Sequence, residues 1–284
     1  MKPARFAYFR PRSAAEAVAM ITAAGEDARF LAGGQSLVPM MNFRIVRPSA
    51  LIDLSACTDL AYALEDGGTL RIGAMMRQRD AATDPIIRQH CPIVADALAH
   101  AGPATIRNRA TVGGTAANGY PMAQLPVVAL CLDAEMVMVG ACGERRVAAS
   151  DFFITGMVTA VEPGELLREL IFPSCKPNTR YAFKESGNHA GGAALAIVVG
   201  CAEATPVGRL ERVRLAAAGL KSIPVRLSRV EDAVTADGDT WAAYTADVAS
   251  IDESGDGDAP DISHRELVYA LIEDAVAALK TPRP

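Results

Sequence analysis

The chain has 284 residues, of which 50% are hydrophobic and 21% charged, so it can bury a substantial core and is expected to be globular. Its net charge of −5 lacks the clustered basic excess that is typical of nucleic-acid binding. Arginines interrupt the apolar residues of positions 1–20, which excludes a signal peptide, and no run is long enough to span a membrane. These properties predict a cytoplasmic protein with neither a nucleic-acid partner nor a membrane span.

The N-terminal part of the chain is predicted to form a small α/β unit. Ser13 is a good N-cap, and Glu16 completes a capping box for a helix that should end at Gly25. Residues 29–32 form a short apolar run, and residues 51–54 form another. Both runs are expected to be buried strands, and the unit is expected to close near residue 57.

The middle of the chain alternates strands and helices. Residues 81–99 have helical stretches that break at the pair Cys91-Pro92, because proline disfavours helical conformation at the residue before it. A buried helix is expected before a hairpin whose second arm pairs back across glycines 140 and 143. The expected elements are strand 70–74, helix 125–132, the hairpin arms 135–139 and 145–147, and strand 166–172.

A change of composition at residues 174–178 predicts a boundary. Beyond it, residues 193–201 and 212–220 are expected to be core strands, and residues 264–279 have an apolar face at helical spacing. The stretch 232–261 is acidic and rich in alanine and glycine, which predicts a flexible or loosely helical surface segment.

Two glycine pairs, Gly33-Gly34 and Gly113-Gly114, each follow a short apolar run and precede small or hydroxylated residues. Without a Cβ, such residues let backbone N–H groups converge closely on an oxyanion. Two such loops, brought together, could hold both phosphates of a dinucleotide, although each pair alone is also typical of an ordinary turn. The Rossmann fingerprint and the nucleotide-triphosphate loop are both absent.

The six cysteines and four histidines are spread along the chain without the close spacing that metal and iron–sulfur sites require. We therefore expect no intrinsic metal site, and a cytoplasmic location argues against disulfides. Cys131 lies within an apolar run and is expected to be a small core residue.

The residues from 32 to 44 read A-G-G-x-S-L-x-P-x-M-x-x-R, and the second glycine pair lies within I-R-N-R-A-T-V-G-G. In this combination the chain resembles the FAD-binding medium subunit of molybdenum hydroxylases, a family that includes carbon monoxide dehydrogenase and the flavin domain of xanthine dehydrogenase. The resemblance spans essentially the whole chain. It continues through Pro48, residues 51–54, 117–118, Pro121, residues 125–126, 132–134 and 162–173, and more weakly through 263–267.

The resemblance implies an α+β fold of the PCMH type. Two α/β subdomains, residues 1–57 and 58–173, would clasp FAD, and a C-terminal domain of a small sheet plus helices would follow in residues 174–284. Backbone amides of both glycine loops would bind the pyrophosphate, with the hydroxyls of Ser36 and Thr111 as further donors.

The implied cofactor-binding residues come from both glycine motifs and from three later segments. They are Ala32, Gly33, Gly34, Gln35, Ser36, Leu37, Thr111, Gly113, Gly114, Thr115, Asn118, Gln124, Leu166 and Lys184. No residue of this chain is assigned a catalytic or metal-binding role, because the isoalloxazine ring would supply the redox chemistry.

The implied function is electron relay. In the family, a large molybdopterin-binding subunit hydroxylates the substrate, a small subunit with two [2Fe–2S] clusters carries the electrons, and FAD passes them to an external acceptor such as NAD⁺, a quinone or oxygen. The chain would then belong to a heterotrimer, which could itself dimerise. Two rival hypotheses remain open: a stand-alone FAD enzyme that acts on a small molecule, and a flavin-free binding protein.

Several positions depart from the family pattern. Thr115 stands where Asn or Asp is common, and Gln124 replaces an acid that accepts hydrogen bonds from the ribityl chain, so an Asp at 124 is expected to tighten FAD binding. Tyr120 would stack on the cofactor or close its entrance. Lys184 would retain a basic contact, and His189 is either an acid–base group or a structural surface residue.

Overall fold

The computed structural model describes residues 2–187, 192–253 and 262–281. The described residues contain three main β-sheets together with α-helices, which confirms the predicted α+β class. Asn188 and His189 lie outside the described residues, so the acid–base role considered for His189 stays a hypothesis.

The N-terminal segment contains a parallel three-stranded sheet. Its elements are β1 (Ala7–Phe9), α1 (Ala14–Ala24), β2 (Arg29–Leu31), α2 (Leu37–Asn42), β3 (Ala50–Asp53) and two 3-10 helices (Leu54–Ala56 and Thr58–Leu60). Strand β3 lies between β1 and β2 and is parallel to both. The hydroxyl oxygen of Ser13 accepts the N–H of Glu16 at 3.2 Å, and Gly25 ends α1 at φ +85°, so both predicted helix bounds are confirmed.

The middle segment contains a five-stranded antiparallel sheet in the order β4-β5-β10-β6-β7. Its elements are β4 (Ala63–Asp66), β5 (Thr69–Gly73), α3 (Gln78–Ala81), α4 (Pro85–His90), α5 (Pro92–His100), α6 (Ala104–Arg107), α7 (Val112–Asn118), α8 (Gln124–Cys131), β6 (Glu135–Gly140), β7 (Gly143–Ala148), α9 (Ala149–Phe152), β8 (Phe153–Thr155), β9 (Val158–Thr159) and β10 (Leu166–Pro173). The predicted hairpin, the helix break at Cys91 and the buried helix α8 are confirmed.

The C-terminal segment contains a four-stranded antiparallel sheet in the order β11-β12-β13-β14. Its elements are β11 (Thr179–Gly187), β12 (Ala194–Ala204), β13 (Leu210–Ala218), β14 (Val225–Arg226), α10 (Ser228–Thr235), α11 (Thr240–Glu253) and α12 (Ile262–Lys280). Both predicted core strands and the terminal amphipathic helix are present.

The two faces of this C-terminal sheet pack into different cores. Side chains alternate across a strand, so Ile197 and Val199 of β12 face the core that contains α8, whereas Ala196 and Val198 face α12. The sheet therefore closes the core of the middle segment while α10, α11 and α12 cover its other face. The predicted domain boundaries at residues 57 and 173 stay predictions.

The acidic stretch 232–261, predicted to be a flexible or loosely helical surface segment, is helical in residues 232–235 of α10 and in α11 within its described part, residues 232–253. Its Tyr244 is only 1% exposed, so α11 also contributes to the core. The buried carboxylate of Asp247 accepts the N–H groups of Arg229 and Val230 at 3.2 Å, which ties α11 to the first turn of α10. Residues 254–261 lie outside the described part.

None of the helices in the described residues is both long and apolar enough to cross a membrane. Within the same residues, no three histidine, cysteine, aspartate or glutamate side chains form a group suited to a metal ion.

Candidate functional site

A cavity of about 850 Å³ lies between the two glycine motifs, within the size range of small-molecule and cofactor sites. Thirteen of the fourteen predicted site residues line it. They are Ala32, Gly33, Gly34, Gln35, Ser36, Leu37, Thr111, Gly113, Gly114, Thr115, Asn118, Gln124 and Leu166. Lys184 is not among the lining residues and lies on β11 opposite Val198. Direct contact of the thirteen with a cofactor stays a prediction.

The two glycine motifs touch each other directly. A Cβ on Gly33 would lie 2.4 Å from the carbonyl oxygen of Arg109, and one on Gly114 would lie 3.3 Å from the Cβ of Ala32. Glycine is therefore required here because two backbone segments approach closely, in addition to the approach of a phosphate that the sequence predicted.

The first glycine motif leaves a row of backbone donors unused. Gly34 adopts φ +73°, and the carbonyls of Gly34 and Ser36 accept the N–H groups of Val38 and Met40 as α2 begins. By contrast, the five N–H groups of residues 33–37 donate no hydrogen bond within the described residues. The hydroxyl of Ser36 makes no capping bond either. Residues 33–37 all line the cavity, so this segment can receive an anion.

The second glycine motif is the start of helix α7 rather than a loop. The hydroxyl of Thr111, the N-cap, accepts the N–H of Gly114 at 3.0 Å, and the N–H of Gly113 donates to the carbonyl of Ala74 at 2.9 Å. The N–H groups of Val112 and Thr115 are also bonded within the protein. The N–H groups of residues 112–115 therefore already have partners inside the protein, while the Thr111 hydroxyl keeps its proton to donate. Contact of this motif with the pyrophosphate stays a prediction.

Gln78, which sequence reasoning missed, is a buried polar residue of the same wall. Its amide nitrogen donates to the hydroxyl of Thr115 at 2.7 Å, and its carbonyl oxygen is buried without a hydrogen-bond partner in the described part of the chain. Both residues line the cavity. Since buried acceptors are normally satisfied, this oxygen suits a donor group on a bound ligand. No local signal points to Gln78, because its partner lies on another helix.

Gln124 has a fixed amide orientation at the start of α8. Its nitrogen donates to the carboxylate of Glu185 at 3.1 Å and lies 3.5 Å from the carbonyl of His100. A carboxylate and a backbone carbonyl can only accept, so the nitrogen must face them, and the side-chain oxygen of Gln124 is left as an acceptor. Glu185 was not predicted, because its segment carries no recognisable spacing.

Two arginines stand behind the first glycine motif. A smaller cavity of about 350 Å³ on that side is lined by Ala32 to Gln35 together with Arg77 and Arg109. Arg77 donates a hydrogen bond to the carbonyl of Arg109. Burial, and then the neighbouring charge of Arg109, lower the pKa of Arg77 from its usual value. Asp53 lines the same cavity and offsets part of this charge, so the two arginines outnumber the one carboxylate there, which favours a bound anion.

Comparison with known proteins identifies one family. The sequence profile described as FAD binding domain in molybdopterin dehydrogenase matches residues 4–175. The whole chain is 32% identical to the 6-hydroxypseudooxynicotine dehydrogenase complex subunit alpha of Paenarthrobacter nicotinovorans and covers 98% of it. The carbon monoxide dehydrogenase medium chain of Hydrogenophaga pseudoflava is 37% identical over 71% of this chain and 69% of its own length.

Solved structures of related proteins share this fold. Carbon monoxide dehydrogenase from Hydrogenophaga pseudoflava, in a form that lacks the Mo-pyranopterin moiety, superposes with a TM-score of 0.89 at 30% identity over 98% of both chains. Quinoline 2-oxidoreductase from Pseudomonas putida 86 gives a TM-score of 0.85 at 28% identity over 99% of this chain and 100% of its own.

Proposed function

The chain belongs to the family of FAD-binding domains of molybdopterin dehydrogenases, and on this basis we propose that it relays electrons from iron–sulfur clusters to an external acceptor. Membership makes it an FAD-binding oxidoreductase subunit. The observation that supports FAD binding, on which the relay depends, is the row of unused N–H groups at residues 33–37, which line a cavity shared with the second glycine motif.

These residues fit the pyrophosphate of FAD. The N–H groups of residues 33–37 would donate to the phosphate oxygens, and the hydroxyls of Ser36 and Thr111 would add two further donors. The charges of Arg77 and Arg109 behind the loop would offset those of the phosphates. The second motif contributes chiefly by shape, because Gly113 and Gly114 let α7 approach the first loop closely.

The cavity lining suits the ribityl chain and the ring systems of FAD. A ribityl hydroxyl would donate to the oxygen of Gln124, and residues 101–103 and 192–194 line the same cavity. Phe30, Met157 and Leu166 also line it and would offer apolar surface to a ring of the cofactor. Tyr120 lines the cavity and is 44% exposed, so it would stack on the cofactor or close the entrance.

When bound, FAD supplies the redox chemistry through its isoalloxazine ring. The residues of this chain bind, orient and shield it. Gln124 fixes the ribityl position because Glu185 fixes the Gln124 amide, and the oxygen of Gln78 is available to a donor on the cofactor. The buried walls keep water from these hydrogen bonds, which strengthens each of them.

The proposed partners are a large molybdopterin-binding subunit and a small [2Fe–2S] subunit in a heterotrimer. The relatives support this, because they are called a complex subunit and medium chains. The rival proposal, a stand-alone FAD enzyme, needs substrate to reach the cofactor of this chain directly.

Anaerobic stopped-flow mixing separates the two proposals. The FAD-loaded chain is mixed with a separately purified, chemically reduced [2Fe–2S] subunit, while the flavin absorption band is followed. Electron relay predicts rapid bleaching that requires the iron–sulfur subunit, followed by recovery when a quinone is added. Bleaching by the organic substrate of the complex, with this chain alone, would contradict relay and support the stand-alone enzyme.

A further inference from the structure

Two cysteines meet in a place that the cofactor site does not use. Cys91 lies between α4 and α5 and is fully buried, and Cys175 follows β10 and is half-buried. Their backbones are adjacent, because the N–H of Cys175 donates to the carbonyl of His90 at 2.6 Å. Their thiols lie close enough for each to shift the ionisation of the other. Neither residue lines the cofactor cavity.

The surroundings distinguish the two thiols. Interaction with the Cys91 thiol, assisted by the nearby charge of Arg214, lowers the pKa of Cys175 below its usual value. Interaction with the Cys175 thiol, together with complete burial, raises the pKa of Cys91. Burial also raises the pKa of the neighbouring Cys201 to about 12. A partly exposed thiol with a lowered pKa beside a second thiol is the arrangement of a redox-sensitive pair.

We propose that Cys91 and Cys175 form a reversible intramolecular disulfide when the protein meets a peroxide. The Cys175 thiolate attacks a peroxide oxygen and expels hydroxide, which gives a sulfenic acid. The Cys91 sulfur then attacks the Cys175 sulfur, the S–O bond breaks, and water leaves. In total, two thiols and one hydrogen peroxide give one disulfide and two waters, and a dithiol reductant reverses the reaction.

The position of the pair gives the bond a structural effect. Cys91 is the N-cap of helix α5, and residues 101–103, which follow the C-terminal end of this helix, line the cofactor cavity. Cys175 lies in the segment that connects β10 to β11. A disulfide would join the middle segment covalently to the segment that enters the C-terminal sheet. The reaction uses only residues of this chain, so it does not depend on the proposed electron relay.

The test treats the full-length chain with equimolar hydrogen peroxide, alkylates the remaining thiols under denaturing conditions, and maps peptides by mass spectrometry. We expect an intact mass lower by two hydrogen atoms and a single crosslinked peptide that joins Cys91 to Cys175. Reduction with dithiothreitol should restore both thiols. The exposed Cys142 serves as an internal comparison for non-selective oxidation.

Two variants fix the order of the steps. In Cys91→Ser, a dimedone adduct should accumulate on Cys175, and in Cys175→Ser no crosslinked peptide should form. Oxidation of Cys142 while the pair stays reduced would overturn the proposal. So would a Cys175 that proceeds to sulfinic acid in the unaltered chain without forming a disulfide.

Discussion

Replacing Gly34 with alanine tests the phosphate-binding role of the first glycine motif. Gly34 has φ +73°, which costs an L-residue about 1–2 kcal/mol. A Cβ there would also lie 3.2 Å from Val38 and 3.3 Å from Leu31. Relief of this strain rotates the peptide between residues 34 and 35 and turns its N–H away from the cavity.

The loss can be estimated from the hydrogen bonds at stake. A hydrogen bond to a charged group contributes about 1.5–3 kcal/mol. Turning one N–H of residues 33–37 away from the pyrophosphate should therefore weaken FAD binding about 10- to 100-fold. The assay is titration of the apoprotein with FAD, followed by quenching of flavin fluorescence.

Gly67→Ala is the matched control. Gly67 has φ +58° in the turn between β4 and β5, and a Cβ there meets nothing within 4 Å. Both variants should lose stability, about 2–8 °C in Tm, with the larger loss in Gly34→Ala because its Cβ contacts Val38 and Leu31, but only Gly34→Ala should bind FAD more weakly. Unchanged affinity in Gly34→Ala, or equal weakening in Gly67→Ala, would refute the reasoning.

Two further predictions concern carboxylates. Gln124→Asp, expected from sequence alone to tighten FAD binding, should instead weaken it about tenfold, because the new charge faces Glu185 and like charges at this range repel by about 1–4 kcal/mol. Adding Glu185→Gln should restore binding, and a single variant that binds FAD more tightly than the wild type would contradict this. Glu169 is fully buried against Arg71 and Tyr62; burial raises its pKa, but their hydrogen bonds outweigh that effect and leave it below the usual value. This carboxylate therefore stabilises the fold above its unfolded-state pKa and stops doing so as pH falls through the lower folded value. Glu169→Gln should cost about 3 kcal/mol at pH 7, and the difference should shrink in acid, as measured by urea unfolding across pH; a pH-independent difference would contradict it.

Local signals predicted the elements that depend on neighbouring residues. The ends of α1 at Ser13 and Gly25 could be predicted because an N-cap side chain and a glycine with positive φ are local properties of the sequence. The helix break at Cys91 follows equally from the next residue, a proline. The prediction that the two glycine motifs lie together depended on the family resemblance, because no local sequence pattern relates residues 33 and 109.

The elements that were missed depend on tertiary contacts. Strand β11 has one buried side chain, Ala182, and is held by pairing with β12 along its whole length, so its sequence shows no alternation. Helix α7 begins with two glycines, which argue against a helix, yet Val112 and Ala116 are buried and stabilise it. Likewise, Tyr244 of α11 packs against Trp241 and Tyr269. The acidic composition of the surrounding sequence gave no indication that this side chain is buried.

Glu185 and Lys184 show the same limit within the site. They are neighbours in sequence, but Glu185 receives the amide of Gln124 while Lys184 stays outside the cavity lining. Only the pairing of β11 with β12 decides which of the two side chains approaches α8.

The FAD content of the purified chain is the measurement that decides whether the cavity binds the cofactor. A visible absorption spectrum, with mass spectrometry of the nucleotide released on denaturation, gives the identity and stoichiometry of the cofactor. We expect one FAD per chain in the unaltered protein and in Gly67→Ala, and less than one in Gly34→Ala. A colourless protein that also fails to take up added FAD would contradict this expectation.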